Sequence, residues 1–265
     1  MNFQNKTIWI TGASSGIGES LAYAFAKCGA NLILSSRNET ELQRVKKNCS
    51  TAAKLISIVP MDLSKHDEVF KIAEKVLQEV GKVDILVNNA GVSQRGLAKD
   101  THFSVDKKIM DIDYFGTIAL TKAVLPSMLD RKSGHIVVTT SVTGHVGIPG
   151  RSTYSAAKHA LHGYFDALRA EIWRENIQVL LVVPGYIKTN ISFNALTESG
   201  QAQNKMDDGQ ANGIMPDVLA QKILKAISAN KEELHVAGLK ETTAMLMKRF
   251  FPGLFSKIVR KAKTT

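Results

Sequence analysis

The feature that most constrains the fold is the alternation of short, strand-like runs with longer helical patterns along residues 6–240. Two of the runs, at residues 84–87 and 179–183, are almost entirely apolar rather than alternating apolar and polar. Continuous apolar strands are typical of a parallel sheet that is covered by helices on both faces. The regular β-α order therefore predicts one doubly wound α/β domain with a parallel, seven-stranded sheet flanked by helices.

The predicted elements follow one another with short connections as far as residue 185. A polar segment rich in Gly, Asn and Gln occupies residues 186–215 and predicts a substrate loop or lid. The domain is predicted to cover residues 1–240, with 241–265 as a separate basic segment. Strands are predicted at 6–11, 31–35, 54–59, 83–87, 135–140, 178–183 and 234–237, and helices at 16–28, 39–48, 65–80, 104–130, 153–175 and 216–228.

The composition of the 265 residues excludes several protein classes. With 44% apolar and 22% charged residues, the chain is neither disordered nor collagen-like. Its two cysteines, Cys28 and Cys49, form no CxxC pair or disulfide framework, so no metal site is expected and a reducing compartment is indicated. Because the first residues contain no apolar leader run and the uncharged stretch 133–150 is broken by glycines and a proline, we expect a cytoplasmic protein without a membrane span.

The positive charge is concentrated at the C-terminal end. Of the net charge of +10, residues 241–265 contribute +5, from six basic side chains against one glutamate, so no nucleic-acid-binding face is expected. This segment is consistent with contact to an anionic membrane through residues 244–263, or with packing on the domain or on a partner subunit. As a helix that begins at Pro252, it has an apolar face of Phe251, Leu254, Phe255 and Ile258 and a basic remainder of Lys257, Arg260, Lys261 and Lys263.

A glycine-rich turn joins the first predicted strand to the first predicted helix. Its glycines allow main-chain N–H groups to approach a pyrophosphate at the positive end of the helix. Its position in the first β-α turn of an alternating chain favours nucleotide binding over an ordinary turn. The candidate nucleotide-binding residues in it are Gly12, Ser14, Ser15, Gly16, Ile17 and Gly18.

Several motifs in order along the chain resemble those of the short-chain dehydrogenase/reductase family. They are the Thr11-Gly12-x-x-x-Gly16-x-Gly18 turn, Asp62-Leu63, Asn88-Asn89-Ala90-Gly91, Ser141, Tyr154-x-x-x-Lys158 and Pro184-Gly185. The resemblance implies a Rossmann-type domain, a nicotinamide cofactor, a small-molecule substrate, and a homodimer or homotetramer. The run from Pro184 to Asn190 and the C-terminal Phe251-Pro252-Gly253-Leu254-Phe255 resemble the 7B-type dehydrogenase/reductase branch.

The end of the second predicted strand bears on the choice of nucleotide. It reads Ser35-Ser36-Arg37, without a carboxylate to bind a ribose 2′-hydroxyl, and the Arg37 guanidinium can bind a 2′-phosphate. We therefore predict NADP(H) rather than NAD(H), with a solvated arginine as the alternative for Arg37. The resemblance implies the remaining cofactor contacts: Asp62, Leu63, Asn89, Ala90 and Gly91 on the adenosine side, and Tyr154, Lys158, Pro184, Gly185, Ile187 and Thr189 on the nicotinamide side.

Tyr154 and Lys158 are four residues apart and thus share one face of a helix. Reduction of a ketone needs a proton donor, and a neighbouring ammonium favours the phenolate that accepts the proton in the reverse direction. Ser141 is implied to donate a hydrogen bond to the substrate oxygen. Asp113 stands where the family has Asn, a residue implied to position a water beside the lysine. This change predicts either an enzyme with altered pH dependence or a weakened or inactive one.

The candidate substrate contacts are mixed in character. Ser141, Thr143, His145 and Tyr186 are the principal ones, with additional pocket candidates at Gln94, Val146, Ile148 and Phe193. Because these candidates include no clustered pair of arginines, a hydrophobic or lipid-like ketone or alcohol is favoured over a phosphorylated or dicarboxylic substrate. Two non-enzymatic alternatives are a non-catalytic NADP-binding protein and a scaffold at a membrane surface.

Overall fold

The computed structural model describes residues 2–262. Its strands are β1 (Thr7–Thr11), β2 (Asn31–Ser35), β3 (Ile56–Ile58), β4 (Ile85–Asn88), β5 (Gln94–Arg95), β6 (Gly134–Thr139), β7 (Ile177–Pro184), β8 (Leu196–Thr197) and β9 (Glu233–Val236). Its α-helices are α1 (Gly16–Lys27), α2 (Glu39–Asn48), α3 (His66–Val80), α4 (Phe103–Met110), α5 (Gly116–Asp130), α6 (Ser152–Glu171), α7 (Asp208–Ala211), α8 (Pro216–Ser228), α9 (Leu239–Phe250) and α10 (Pro252–Val259). A π-helix (Asp111–Phe115) and a 3₁₀-helix (Val142–Gly144) complete the set.

Seven strands form one parallel sheet in the order β3-β2-β1-β4-β6-β7-β9, which confirms the predicted architecture. The order reverses its direction at β1, which pairs with β2 on one side and β4 on the other. In open α/β sheets, ligands bind beyond the carboxyl ends of the strands at such a switch point. A ligand site is therefore expected at the turns that follow β1 and β4.

The core lies on both faces of this sheet, as the apolar strands predict. Along β1, Ile8 and Ile10 pack on one face with α1 and α8, whereas Trp9 packs on the other face with α3, α5 and α6. All three side chains are fully buried. Successive side chains of a strand point to opposite faces, so an unbroken apolar run serves both layers at once.

The predicted helix over residues 104–130 is interrupted by the π-helix Asp111–Phe115. The N–H of Gly116 bonds to the carbonyl of Asp111, five residues back, instead of continuing the α-helical spacing of four. A π-turn accommodates one extra residue within a helix and often occurs at functional sites. Apolar periodicity did not reveal it, because one wide turn hardly disturbs a pattern 27 residues long.

The segment 186–215 is folded against the domain rather than irregular. Its strand β8 pairs in parallel with β5, and a β-bridge joins Ile187 to Ile214. The helix α7 lies within the same segment. The sequence did not indicate β5, β8 or α7, because these elements of two to four residues do not differ in character from the polar residues around them.

The C-terminal helices differ in part from the prediction. α10 begins at Pro252, as expected, but the predicted apolar face is divided: Phe255 is buried against Val142, Val146 and Val183, whereas Phe251, Leu254 and Ile258 are exposed. Because only Phe255 packs on the loop after β6, the other three residues of this face remain exposed. Lys263, the last basic residue predicted for this face, lies outside the described residues. Among residues 2–262, no helix is long and apolar enough to cross a membrane.

Candidate functional site

The glycine-rich turn after β1 is shaped by close main-chain packing. Gly12 has φ of 65°, and a Cβ there would lie 2.9 Å from the Cα of Ala90. A Cβ on Gly18 would collide with the main-chain oxygen of Gly12. Only glycine accommodates the positive φ without strain together with this contact distance. The turn therefore leaves open space at the start of α1, where the first main-chain N–H groups have no hydrogen-bond acceptor within the helix.

Asn89 and Thr11 hold the two turns at the switch point together. The Thr11 hydroxyl accepts hydrogen bonds from the N–H groups of Asn89 and Ala90, at 3.0 and 3.1 Å. The Asn89 side chain donates to the carbonyl of Thr11 at 3.1 Å and accepts from the hydroxyl of Thr139 at 3.3 Å. These bonds connect β1, β4 and β6 at their carboxyl ends.

A cleft of about 840 Å³ opens beside these turns. It extends from the end of β2 to the segment after β7, and its dimensions and glycine-lined floor fit an elongated, phosphate-containing nucleotide. Most predicted cofactor residues line it, although Gly18, Tyr154, Lys158, Pro184, Gly185 and Ile187 do not. The lining comprises Gly12, Ser14, Ser15, Gly16, Ile17, Ser36, Arg37, Asn38, Glu39, Glu41, Met61, Asp62, Leu63, Asn89, Ala90, Gly91, Val92, Lys108, Thr189, Asn190, Ile191, Asn194 and Leu196.

Some lining residues were missed because they come from elements that local motifs do not connect. Lys108 lies on α4, and Ile191 and Asn194 lie in the segment 186–215. Thr189 reaches the glycine-rich turn, since a Cβ on Gly16 would lie 2.9 Å from the Thr189 methyl group. These segments come together only in the folded chain, where they form walls of the same cleft.

Charged groups surround Arg37 at the end of the cleft that adjoins β2. Burial acts to raise the pKa of Asp62, but hydrogen bonds from Ser64 and the charges of Arg37 and Lys65 hold it below its ordinary value. Two carboxylates, Glu39 and Glu41, line the same region. Arg37 is therefore close to acidic side chains as well as to the cleft.

Tyr154 and Lys158 lie on the buried side of α6, and Ser141 follows the last residues of β6. The Lys158 Nζ is 5.6 Å from the centroid of the Tyr154 ring and donates a hydrogen bond to the carbonyl of Thr139 at 3.3 Å. The Ser141 Oγ accepts a hydrogen bond from the N–H of Thr143 at 3.2 Å. The 3₁₀-helix that begins after Ser141 packs against α6, the helix that carries Tyr154 and Lys158.

Asp113 contacts Lys158 directly. Its Oδ2 lies 3.2 Å from the Nζ of Lys158, and its Oδ1 accepts a hydrogen bond from the N–H of Val92 at 2.7 Å. Its main-chain carbonyl, the group implied to hold a water in the family, accepts a hydrogen bond from the Thr117 hydroxyl at 2.8 Å. Both charged side chains are almost completely buried.

For each member of this ion pair, burial and charge pairing shift the pKa in opposite directions. Burial raises the pKa of the Asp113 carboxyl above its ordinary value, against the lowering effect of the Lys158 charge and the Val92 N–H. Burial also acts to lower the pKa of Lys158, but the charges of Asp113 and Tyr154 and the Asp113 hydrogen bond carry it above the ordinary value. The lysine is thus held as an ammonium beside Tyr154.

The structure assigns local structural contacts to several substrate candidates. Gln94 is fully buried, and its side-chain oxygen accepts hydrogen bonds from the N–H groups of Thr153 and Tyr154, at 2.9 and 3.3 Å, at the start of α6. Val146 packs in the cluster that contains Phe255. The ring of His145 lies against that of His162, with 4.3 Å between centroids. Gln94 therefore fixes the helix that carries Tyr154.

A buried pair of arginines lies next to two of the substrate candidates, Gln94 and Tyr186. Arg95 Nε and Arg151 Nη2 both donate to Oδ2 of Asp207, each at 3.0 Å. The Arg151 guanidinium also lies 6.0 Å from the centroid of the Tyr186 ring. The pair was overlooked because its members are 56 residues apart in the sequence. The carboxylate from the segment 186–215 neutralises one of the two charges.

Comparison with known proteins gives the family. The family description "short chain dehydrogenase" matches residues 6–199. The chain is 44% identical over 264 residues to dehydrogenase/reductase SDR family member 7B from Danio rerio, covering 97% of this chain and 85% of that protein.

Solved structures agree on the fold. A short-chain dehydrogenase/reductase from Burkholderia phymatum in complex with NAD superposes with a TM-score of 0.85 at 23% identity, covering 96% of each chain. An alcohol dehydrogenase from Thermococcus sibiricus complexed with 5-hydroxy-NADP gives a TM-score of 0.76 at 24% identity, covering 88% of this chain and 96% of that one. The fold, the ordered motifs and these matches establish that the chain is an oxidoreductase-family protein, a short-chain dehydrogenase/reductase of the 7B type.

Proposed function

We propose that the protein interconverts a carbonyl compound and a secondary alcohol with NADP(H), using Tyr154 as the general acid and base. The observation that carries this proposal is the unit of α6 and the adjoining 3₁₀-helix, in which Lys158 lies near the Tyr154 ring and Ser141 directly precedes the 3₁₀-helix. Groups with complementary roles in one place are a stronger indication of catalysis than any one of them alone. The same unit argues against the non-catalytic alternative.

Tyr154, Lys158 and Ser141 have separate roles in the proposed reaction. Tyr154 gives a proton to the carbonyl oxygen during reduction and takes it back during oxidation. The buried Lys158 ammonium favours the phenolate form of that tyrosine. Ser141 donates a hydrogen bond to the same oxygen and orients it. The nicotinamide cofactor, when bound, supplies or accepts the hydride.

The cofactor residues are proposed in two groups. Gly12, Gly16 and their neighbours in the first turn bind the pyrophosphate through main-chain N–H groups, while Asp62 and Asn89 to Gly91 bind the adenosine half. Lys158, Ile187 and Thr189 bind the nicotinamide half. Ile187 and Thr189 are held in place by Gln210, whose amide donates to the Ile187 carbonyl and, at 3.2 Å, to the Thr189 hydroxyl.

The preference for NADP(H) rests on Arg37. Its guanidinium lines the cleft, where a planar donor can bind the two oxygens of a phosphate. Ser36 lies beside it, and its hydroxyl accepts a hydrogen bond from the N–H of Asn38 at the start of α2. Anions are stabilised at a helix N-terminus, which also suits a 2′-phosphate at this end.

The substrate class is proposed from the side chains of the segment 186–215. Ile191 and Leu196 line the cleft, and Phe193 between them remains 40% exposed. These apolar groups support a hydrophobic or lipid-like ketone or alcohol, with Thr143 and Tyr186 as further candidate contacts.

A second candidate role, contact with an anionic membrane, is supported by the exposed apolar surface of α9 and α10. Leu246, Phe250, Phe251, Leu254 and Ile258 are each at least 49% exposed. Basic side chains of α9, α10 and the two residues after α10 accompany them, namely Lys248, Arg249, Lys257, Arg260 and Lys261. An exposed apolar surface accompanied by cations suits acidic headgroups. We propose this membrane as the partner, with a second copy of the chain as the competing one.

Replacement of Tyr154 by Phe should lower kcat by about 10²- to 10⁴-fold, because it removes the proton-transfer group. NADPH affinity should remain nearly unchanged, as measured by fluorescence titration. Tyr164→Phe is the matched control on the same helix and should retain activity. Substantial turnover by the Tyr154→Phe protein would contradict the proposed role.

Replacement of Arg37 by Ala should weaken NADPH binding by about 1.5–3 kcal/mol, the usual loss for a charged hydrogen bond, and leave NADH binding unchanged. Titrations with both nucleotides measure the difference. Arg174→Ala, at an exposed position in the turn between α6 and β7, is the control. If the parent protein binds NADH as tightly as NADPH, the preference is wrong.

Replacement of Asp113 by Asn should raise activity near neutral pH and move the basic limb of the pH–rate profile to lower pH. The Asp113 charge offsets the positive field of Lys158 and raises the pKa of its ammonium. Removing that charge therefore strengthens the positive field at Tyr154 and lowers the pKa of Lys158. We expect a shift below about one pH unit. The measurement is kcat/KM from pH 6 to 10, with Asp111→Asn as the control; an unmoved or upward-shifted limb refutes this electrostatic role.

Membrane contact is tested by co-sedimentation with phosphatidylserine vesicles at low and high salt. We expect the parent protein to pellet at low salt, and substitution of Phe250, Phe251 and Leu254 by Ser to abolish pelleting. Phe255 is left intact because it packs on the domain. Substitution of the exposed Phe103 is the control. If the triple variant instead changes from dimer to monomer, the surface binds a second copy.

A further inference from the structure

Three side chains from distant parts of the chain converge on one point beside α6. His145 follows the 3₁₀-helix, His162 lies on α6, and Glu233 is the first residue of β9. Oε1 of Glu233 is 3.3 Å from Nε2 of His145 and 3.8 Å from Nδ1 of His162. One side-chain atom from each of the three residues lies within 4.8 Å of the other two.

The His162 imidazole lacks one of the hydrogen bonds that buried polar groups usually have. Its Nε2 is inaccessible to solvent and has no hydrogen-bond partner among the described residues, whereas the equally inaccessible Nε2 of His145 faces Glu233. His162 is only 8% exposed. Buried polar atoms are almost always paired, so unpaired ones indicate a missing ligand or ion.

The chemistry of the three side chains suits a cation. The cluster offers imidazole nitrogens from His145 and His162 and a carboxylate oxygen from Glu233. Neutral imidazole and ionised carboxylate are forms that bind metal ions.

We propose that His145, His162 and Glu233 bind a divalent transition-metal ion of the zinc class. Imidazole nitrogen and carboxylate oxygen are the ligand types that zinc accepts, and a set of two histidines and one glutamate is known among zinc sites. Bond lengths of about 2.0–2.1 Å place tetrahedral ligands about 3.3 Å apart, so binding draws the three atoms slightly inward.

His235 supplies a fourth ligand or supports the third. Its Nε2 lies 3.2 Å from Oε2 of Glu233, and its ring stacks on that of His145 with 5.6 Å between centroids. In zinc sites the ligands are themselves oriented by such neighbours. The cluster therefore contains both a set of three ligands and a group that orients the carboxylate.

The bound ion would join three elements that carry or flank the candidate catalytic residues. His145 lies four residues after Ser141, and His162 lies one helical turn after Lys158. Glu233 belongs to the edge strand β9, which pairs with β7. The ion has a positioning role here, independent of the proposed function, because none of the three residues lines the cleft.

The test is isothermal titration of tag-free protein with zinc chloride, followed by the visible absorption of the cobalt(II)-loaded protein. We expect one zinc ion per chain in the parent and in the control His102→Gln, whose histidine is exposed on the surface. Affinity should fall at least about tenfold in His145→Gln and in Glu233→Gln, and the cobalt absorption should weaken in both. Magnesium should not compete, since it prefers oxygen ligands.

The variants are chosen so that misfolding does not obscure the result. The side chains of His145 and Glu233 are 32% and 39% exposed, and glutamine is close to both in size. Circular dichroism verifies each fold, and either variant alone decides the question. Absence of saturable binding in the parent, or equal zinc affinity in the parent and both variants, overturns the proposal. Neither result depends on turnover, so the oxidoreductase proposal is tested separately.

Discussion

The buried ion pair between Lys158 and Asp113 determines how the centre of the molecule is assembled. An isolated charge in this position would cost several kcal/mol of desolvation, so each partner requires the other. The pair connects α6 to the π-helix, and the hydrogen bond from Val92 adds the turn after β4. Removing one partner leaves an uncompensated charge next to Tyr154, so the same contact bears on stability and on proton transfer.

The nucleotide end of the molecule is largely predictable from local sequence. Its turn needs glycines at fixed spacing because main chain approaches main chain there, as at Gly12 and Ala90. A geometric requirement of that kind restricts the residue types at a few neighbouring positions, so it is visible in the sequence. The same holds for Tyr154 and Lys158, which the helical period alone places on one face. The seven main strands were likewise predicted, because each lies in a short strand-like run that alternates with the helical patterns.

The remaining features depend on contacts between distant residues, which no local pattern encodes. Arg95 and Asp207 are 112 residues apart, and His145 and Glu233 are separated by the whole of α6, β7, the segment 186–215 and α8. Single residues at such positions read as ordinary surface or loop side chains. Asp113 was visible as a departure from the family, but its direct contact with Lys158 appeared only when the π-helix placed its carboxylate.

The π-helix also fixes the length of the chain in this region. A wide turn takes one more residue than an α-turn, so deleting a single residue from Asp111–Phe115 would restore regular α-helical spacing and rotate α4 by about 100° relative to α5. Asp113 would then turn away from Lys158, and Lys108 would leave the wall of the cleft. A one-residue deletion here would thus disturb the lysine and the nucleotide cleft together, whereas most surface loops would accommodate the same change.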